Sequence, residues 1–329
     1  MDAKTSKILK NAFWTALALV LLYFCFKGVD WKEFFAVLRQ CRWGFVLSAM
    51  ACGVLAALFR ALRWRLLLLS EDDAVRRIDC YDAFNIGKIC DMVVPHVGEF
   101  VRCGYVRKGR ITYDKALGTV ILERAWDILV LIVLILSVIL LGRDTFSGFF
   151  RERMLAPLSE RLDLGAGAVV AILAVLLLCI CTVAFALRSK VRIFRKAADF
   201  LKGIWQGVKS CFGMPRKGLF LLLTVLLWTM FLMMSFLVIK ALPEDFGLSI
   251  VDALFIMLVG SVAGIIPVPG GFGAFHYIVA AALETIYGIP FATGIIFATL
   301  SHESQAVTMV VCGGLSYLHQ CLSRSGKES

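Results

Sequence analysis

The stretch Ile266-Pro267-Val268-Pro269-Gly270-Gly271-Phe272-Gly273 interrupts an apolar segment that runs from residue 250 to about residue 287. Proline removes a backbone donor and collides with the preceding turn, and glycine is the next poorest helix former, so no helix continues through these residues. Freed backbone is tolerated at membrane depth only where it is buried in protein or lines a polar cavity. The segment therefore reads as helix–break–helix, either a re-entrant hairpin or a discontinuous span. Its glycines let the backbone approach a ligand closely, and a helix beginning near Ala274 would aim free amides at an anion. A tight chain reversal needs the same residues.

A second interrupted segment covers residues 81–105 and contains Asp82, Asn85, Lys88, Asp91, Pro95, Gly98, Glu99 and Arg102. Six cleaner apolar runs surround the two, at residues 11–26, 44–69, 117–141, 165–187, 218–239 and 291–318. Crossing roughly 30 Å of hydrocarbon takes about 20 mostly uncharged residues. Composition agrees: 60% of the 329 residues are hydrophobic and the mean hydropathy is +0.83, where soluble domains have about 45–50% apolar residues. The basic start (Lys4, Lys7, Lys10) followed by an apolar run resembles a signal peptide, but no small-residue cleavage site follows Phe26, so a retained first helix is expected. The expected fold is an all-α polytopic membrane protein with six full spans plus two broken or re-entrant helical hairpins.

Charge distribution tests that arrangement. With a cytoplasmic N-terminus and both hairpins returning to the side they entered, Lys and Arg total 24 inside and 9 outside, and Lys88 and Arg124 within the membrane complete the 35. If both segments crossed fully, the totals would be 15 inside and 18 outside. The hairpin arrangement satisfies the positive-inside rule, more decisively for the first segment than for the second, whose flanking loops carry almost no charge. It places both termini in the cytoplasm, and the expected location is a bacterial inner (plasma) membrane. It also divides the chain into residues 1–164 and 165–329, each reading span, span, broken hairpin, span. The first hairpin enters from the cytoplasm and the second from outside, so an inverted repeat is expected, with broken helices meeting near the midplane as in many secondary transporters.

A formal charge of +11 would suit nucleic acid in a soluble chain. Here the basic residues lie in loops between apolar runs, where they orient the protein and meet anionic lipid head groups, so lipid and not nucleic acid is the expected partner. Residues 188–217 interleave basic and apolar side chains as an interfacial amphipathic helix or a flat connector would, and Trp31 with Phe34 and Phe35 suggests a smaller counterpart outside. The eleven cysteines are odd in number and form no CxxC pair, which argues against a disulfide framework or a cysteine zinc site. There is no Walker A, HExxH or GxSxG motif, and no HxxxH spacing. No cofactor or metal is expected.

Ionisable side chains in hydrocarbon cost about 2.5 to over 10 kcal/mol and so mark a cavity, a pair or a pathway. Glu99 and Arg102, three apart, share a helix face beside the Pro95 break. Glu123 and Asp127, four apart, share another, with Arg124 a quarter-turn away. Arginine grips a phosphate through two parallel hydrogen bonds, which suits Arg102 and Arg124 to a lipid phosphate. The same residues would also serve as salt bridges joining hairpin to span, and Lys88 and Asp91 are expected to pair. His96, His276 and His302 lie in or beside the breaks, where protonation would matter, whereas His319 reads as incidental. The expected substrate-binding set is Glu99, Arg102, Glu123, Arg124, Asp127, Gly270, Gly271, Gly273, His276 and His302.

Two motifs carry a resemblance. The first is Asn85-Ile-Gly-Lys-Ile-Cys-Asp-Met-Val-Val-Pro95-His-Val-Gly98-Glu99-Phe-Val-Arg102, followed by Leu122-Glu123-Arg124-Ala-Trp-Asp127. The second is Pro269-Gly270-Gly271-Phe-Gly273-Ala-Phe-His276, followed by the last apolar run. With the order of apolar segments, the chain resembles, over nearly its whole length, the flippase-like family typified by the transmembrane region of lysylphosphatidylglycerol synthase. The resemblance implies a membrane-embedded lipid translocase or a relative, associated with aminoacylated phospholipids or polyprenyl-linked glycans. His276 stands where that family often has glutamate, and His302 where an arginine is common in the last span. No aminoacyl-transfer domain is found in these 329 residues, so synthesis of a lysyl-lipid is not expected.

The leading expectation is a lipid transporter that moves an anionic or aminoacylated phospholipid, or a polyprenyl-linked lipid, through a midplane cavity. The alternative is a membrane enzyme acting on a lipid-linked phosphate or sugar, with Glu99, Glu123 and Asp127 as base or metal ligands. A third class is a non-transporting organiser of another membrane protein. A homo-oligomer is compatible with all three.

Overall fold

The computed structural model describes residues 31–140 and 214–328, apart from 71, 73, 107–110, 215, 265 and 267. The expected spans at 11–26 and 165–187, and all but the end of the basic stretch 188–217, lie outside the described residues. Among the described residues there are nine α-helices and no strand. In chain order they are α1 (Trp31–Gln40), α2 (Trp43–Leu68), α3 (Arg77–Val93), α4 (Gly98–Tyr105), α5 (Tyr113–Leu140), α6 (Lys217–Ala241), α7 (Ile250–Ala263), α8 (Ala274–Tyr287) and α9 (Phe291–Glu328).

Three helices are long and apolar enough to cross a membrane: α2, α6 and the part of α9 from Phe291 to Ser323. Their outer faces are apolar and exposed, with Leu47, Val225 and Leu315 each more than 60% accessible. Water would penalise such faces and lipid does not. The 28 residues of α5 would reach about 42 Å at 1.5 Å per residue. Its middle carries the charged triplet Glu123, Arg124 and Asp127, and the part beyond exposes Ile128, Ile132 and Leu136.

Helices α2 and α6 lie antiparallel. The backbone amide of Arg42, just before α2, donates to Ala241 O at 2.8 Å, and its guanidinium donates to Leu242 O at 3.1 Å. Along this pair the buried apolar residues divide into two clusters. One gathers α1, the start of α2, the end of α6, and α7 to α9 around Phe255, Leu258, Ile295 and Phe297. The other gathers the end of α2, the start of α6, α3, α4 and the start of α5 around Trp64, Leu67, Cys103 and Ile111.

Both interrupted segments fold as helix–break–helix. Helix α3 ends at Val93, the chain turns through Val94 to Val97 with His96 at φ 60°, and α4 folds back along α3. The reversal rests on glycine. A Cβ on Gly98 would strike the carbonyl of Gly87, one on Gly87 would sit 2.7 Å from the carbonyl oxygen of Gly98, and the Gly98 amide donates to Asp91 Oδ1 at 2.6 Å. In the second segment α7 starts at a capping box, with the Ser249 amide donating to Asp252 Oδ2 at 2.8 Å. Gly270, Gly271 and Gly273 take φ values of 61°, 77° and 82°, a region that disfavours any residue with a Cβ. Helix α8 begins at Ala274 as expected and runs back beside α7, so that Tyr287 Oη donates to Asp252 Oδ1 at 3.1 Å.

The two hairpins approach opposite ends of α9. The start of α3 lies beside its C-terminal part, where Asp82 Oδ2 is 2.6 Å from His319 Nδ1 and 2.9 Å from Gln320 Nε2. The end of α8 lies beside its start, where Gly294 lets α9 come close to Ala280. His319, expected to be incidental, instead binds a carboxylate that is 1% exposed. An aspartate buried in an apolar packing needs such donors.

Candidate functional site

Every charged residue of α4 and of the middle of α5 enters one ion cluster. Arg102 Nη2 lies 2.6 Å from Glu99 Oε2 and 2.7 Å from Glu123 Oε2, and its guanidinium stacks 4.5 Å above the ring of Trp64. Arg124 pairs with Glu99 and lies 3.7 Å from Asp127 Oδ2. The pairing of Glu99 with Arg102 and of Lys88 with Asp91 (2.9 Å) follows the i,i+3 spacing read from the sequence.

Two members of the cluster were not anticipated. The inside total of Lys and Arg counts Arg60 and Arg63 with the loop charges, whereas both lie inside α2. Arg63 Nη2 is 2.6 Å from Asp127 Oδ1 and 3.1 Å from Glu123 Oε1. Arg60 Nε is 3.3 Å from Glu123 Oε1, and its Nη2 pairs with Asp127. The available signal was their own i,i+3 spacing between the apolar residues Phe59, Ala61, Leu62 and Trp64, which continues the helix past Arg60. Four guanidinium groups from three helices thus face three carboxylates. Arg63, Arg102 and Glu123 are sealed from solvent. Nε and Nη1 of both Arg63 and Arg102 meet no hydrogen-bond acceptor among the described residues.

Two cavities lie nearby, the first walled in part by Arg60 of the cluster. One, of about 150 Å³, lies between α2, α3, α6 and α9 and has Arg60, Asn85, Lys88 and Gln305 among its polar walls. The other, of about 280 Å³, lies between the two breaks, lined by Asp91, Pro95, His96, Gly270, Gly271 and His302 among others. Lys88 and Met309 line both. The sequence-predicted residues thus separate into two groups. Glu99, Arg102, Glu123, Arg124 and Asp127 form the ion cluster, whereas Gly270, Gly271 and His302 line the cavity between the breaks. Arg60 and Lys88 connect them. Gly273 turns the chain into α8, and His276, 1% exposed, packs behind His302 with ring centroids 5.1 Å apart. His302 Nε2 lies 2.8 Å from the carbonyl oxygen of Gly270 and so fixes the glycine loop to α9.

Among known families, the model described as the lysylphosphatidylglycerol synthase TM region fits residues 11–313. No curated protein and no solved structure matches the chain.

Proposed function

Because the chain belongs to the family of the lysylphosphatidylglycerol synthase transmembrane region, an integral membrane family concerned with lipid, we propose that it translocates an anionic phospholipid through the paired cavities between its hairpins. The observation that carries this reading is the charge of the buried cluster. Four arginines meet three carboxylates, leaving one positive charge in excess beside a neutral Lys88–Asp91 pair. An uncompensated cation in hydrocarbon is expensive, and a phosphate diester is the anion that a bilayer supplies.

In this reading the phosphate meets Arg60 and Lys88 on the cavity walls. Glu123 holds Arg60 from behind and Asp91 holds Lys88, while Arg102, sealed behind Glu123, does not touch lipid. The acyl chains remain in the bilayer along the apolar outer faces. Six spans with two inverted hairpins would let one half rock against the other and open the cavity to either leaflet in turn, with both termini cytoplasmic.

The test is reconstitution in phosphatidylethanolamine vesicles carrying a trace of fluorescent phosphatidylglycerol, with translocation read by quencher accessibility. One charge-assisted hydrogen bond is worth about 1.5–3 kcal/mol, so Lys88→Gln and Arg60→Gln should each slow translocation about tenfold or more. Wild-type rates in both variants, with unchanged elution and thermal stability, would remove the proposed site. Covalent change of the lipid, seen by mass spectrometry, would replace transport with catalysis.

A further inference from the structure

The second hairpin and the last helix bring together three groups that the ion cluster does not involve. His276 Nε2 of α8 lies 3.3 Å from Glu303 Oε1, and His302 Nδ1 of α9 lies 3.2 Å from the same oxygen. The three candidate donor atoms all lie within 4.8 Å of one another. The residues are 26 and 27 positions apart in sequence, so no local spacing announces them. The reversal at Gly288 and the short link to α9 align them, with Gly294 against Ala280 setting the close approach of the two helices.

The hydrogen bonding of His302 defines what its Nδ1 can do. A carbonyl oxygen only accepts, so Nε2 must carry the proton that it gives to Gly270 O at 2.8 Å. In the neutral ring Nδ1 then presents a lone pair, and it points at a carboxylate oxygen, another acceptor. His276 brings Nε2 within 3.3 Å of that same oxygen and, with its proton on Nδ1, offers a second lone pair there. A positive centre between them satisfies the two facing acceptors of His302 and Glu303 and takes up the third nitrogen. Metal-bound histidines commonly have this further arrangement, the remote ring N–H donating to a backbone carbonyl that sets the tautomer.

We infer that His276, His302 and Glu303 form a binding site for a divalent transition cation of the zinc class. Two imidazoles and one carboxylate are a borderline-soft donor set suited to zinc, not to magnesium or calcium. The spacing agrees as well. Tetrahedral bonds of about 2.0–2.1 Å put neighbouring donor atoms about 3.3 Å apart, and two of the three edges here measure 3.2 and 3.3 Å. Glu303 keeps 39% of its side chain accessible, which leaves a route for the cation and a fourth position for an exchangeable ligand. A cation held there clamps α8 to α9 and, through His302, steadies the Gly270 carbonyl at the cavity wall.

Cobalt(II) replaces zinc in such sites and reports coordination through its visible absorption. The full chain, purified in detergent and stripped with chelator, should take up one equivalent of cobalt with a tetrahedral spectrum and no thiolate charge-transfer band, and zinc should displace it. His276→Ala, His302→Ala and Glu303→Gln should each weaken cobalt affinity by about a hundredfold. Glu303→Gln nearly preserves shape, and its elution and helical content should match wild type, which separates lost ligation from lost folding. The inference falls if wild-type protein takes up no cobalt, if the spectrum carries the thiolate band, or if the three variants bind as wild type does. Each readout is independent of lipid movement, so this site and the proposed transport stand or fall separately.

Discussion

Glu123 takes guanidinium groups from two neighbouring helices at once: Arg102 from α4, and Arg60 and Arg63 from α2. With its carboxylate gone, Arg63 and Arg102 would each keep only one carboxylate, Asp127 and Glu99, in a packing that water does not reach. Removing one partner of a buried ion pair costs about 3–5 kcal/mol because the other charge is left uncompensated. Glu123→Gln should therefore lower unfolding free energy in detergent by that amount, read from denaturant titration of helical circular dichroism. Lys240→Ala, which breaks a looser pair whose Asp245 is 69% exposed, should leave the same curve unchanged. Loss of stability in both variants or in neither would contradict a sealed cluster. At this scale the sequence discloses Glu99, Arg102, Glu123 and Asp127, because charge within an apolar run is anomalous. It hides Arg60 and Arg63, because arginine at the end of such a run ordinarily marks the interface. The proposed grouping of His276 with His302 and Glu303 is hidden for another reason: His276 reaches the other two only after the chain reverses.

At the scale of elements, each hairpin depends on a close approach that only glycine permits. Gly98→Ala would drive a methyl group into the backbone of α3 at Gly87, whereas the same change at Gly104, where a Cβ meets nothing within 4 Å, is free. Overpacking of this kind costs about 1–3 kcal/mol. The expected outcome is a clear drop in melting temperature for Gly98→Ala and none for Gly104→Ala. Gly288 isolates the backbone contribution, since its Cβ would also meet nothing within 4 Å but its φ is 65°. Gly288→Ala should cost about 1–2 kcal/mol from left-handed strain alone. The breaks themselves are legible from Pro95 and the Pro267–Gly273 cluster, as is the start of α8. The left-handed turn at His96 is not, because a residue outside glycine takes that conformation only when its surroundings impose it.

Across the whole molecule, the apolar surface of α6 makes sense only against lipid. Val225 is 62% exposed near the middle of that helix, and lysine at the centre of a spanning helix raises insertion free energy by about 2.5–3.5 kcal/mol. Val225→Lys should sharply reduce the membrane-inserted fraction in a translation–insertion assay. Undiminished insertion would mean that α6 does not span. Helices α2 and α6 contribute to both apolar clusters. Arg42 binds them together at one end through two carbonyls. They thus form a keel, and in the proposed transport cycle the hairpins tilt past this pair without prying it apart. A covalent tether between positions 42 and 241 should accordingly leave lipid passage running, while one that ties the tip of the first hairpin to the glycine loop should arrest it.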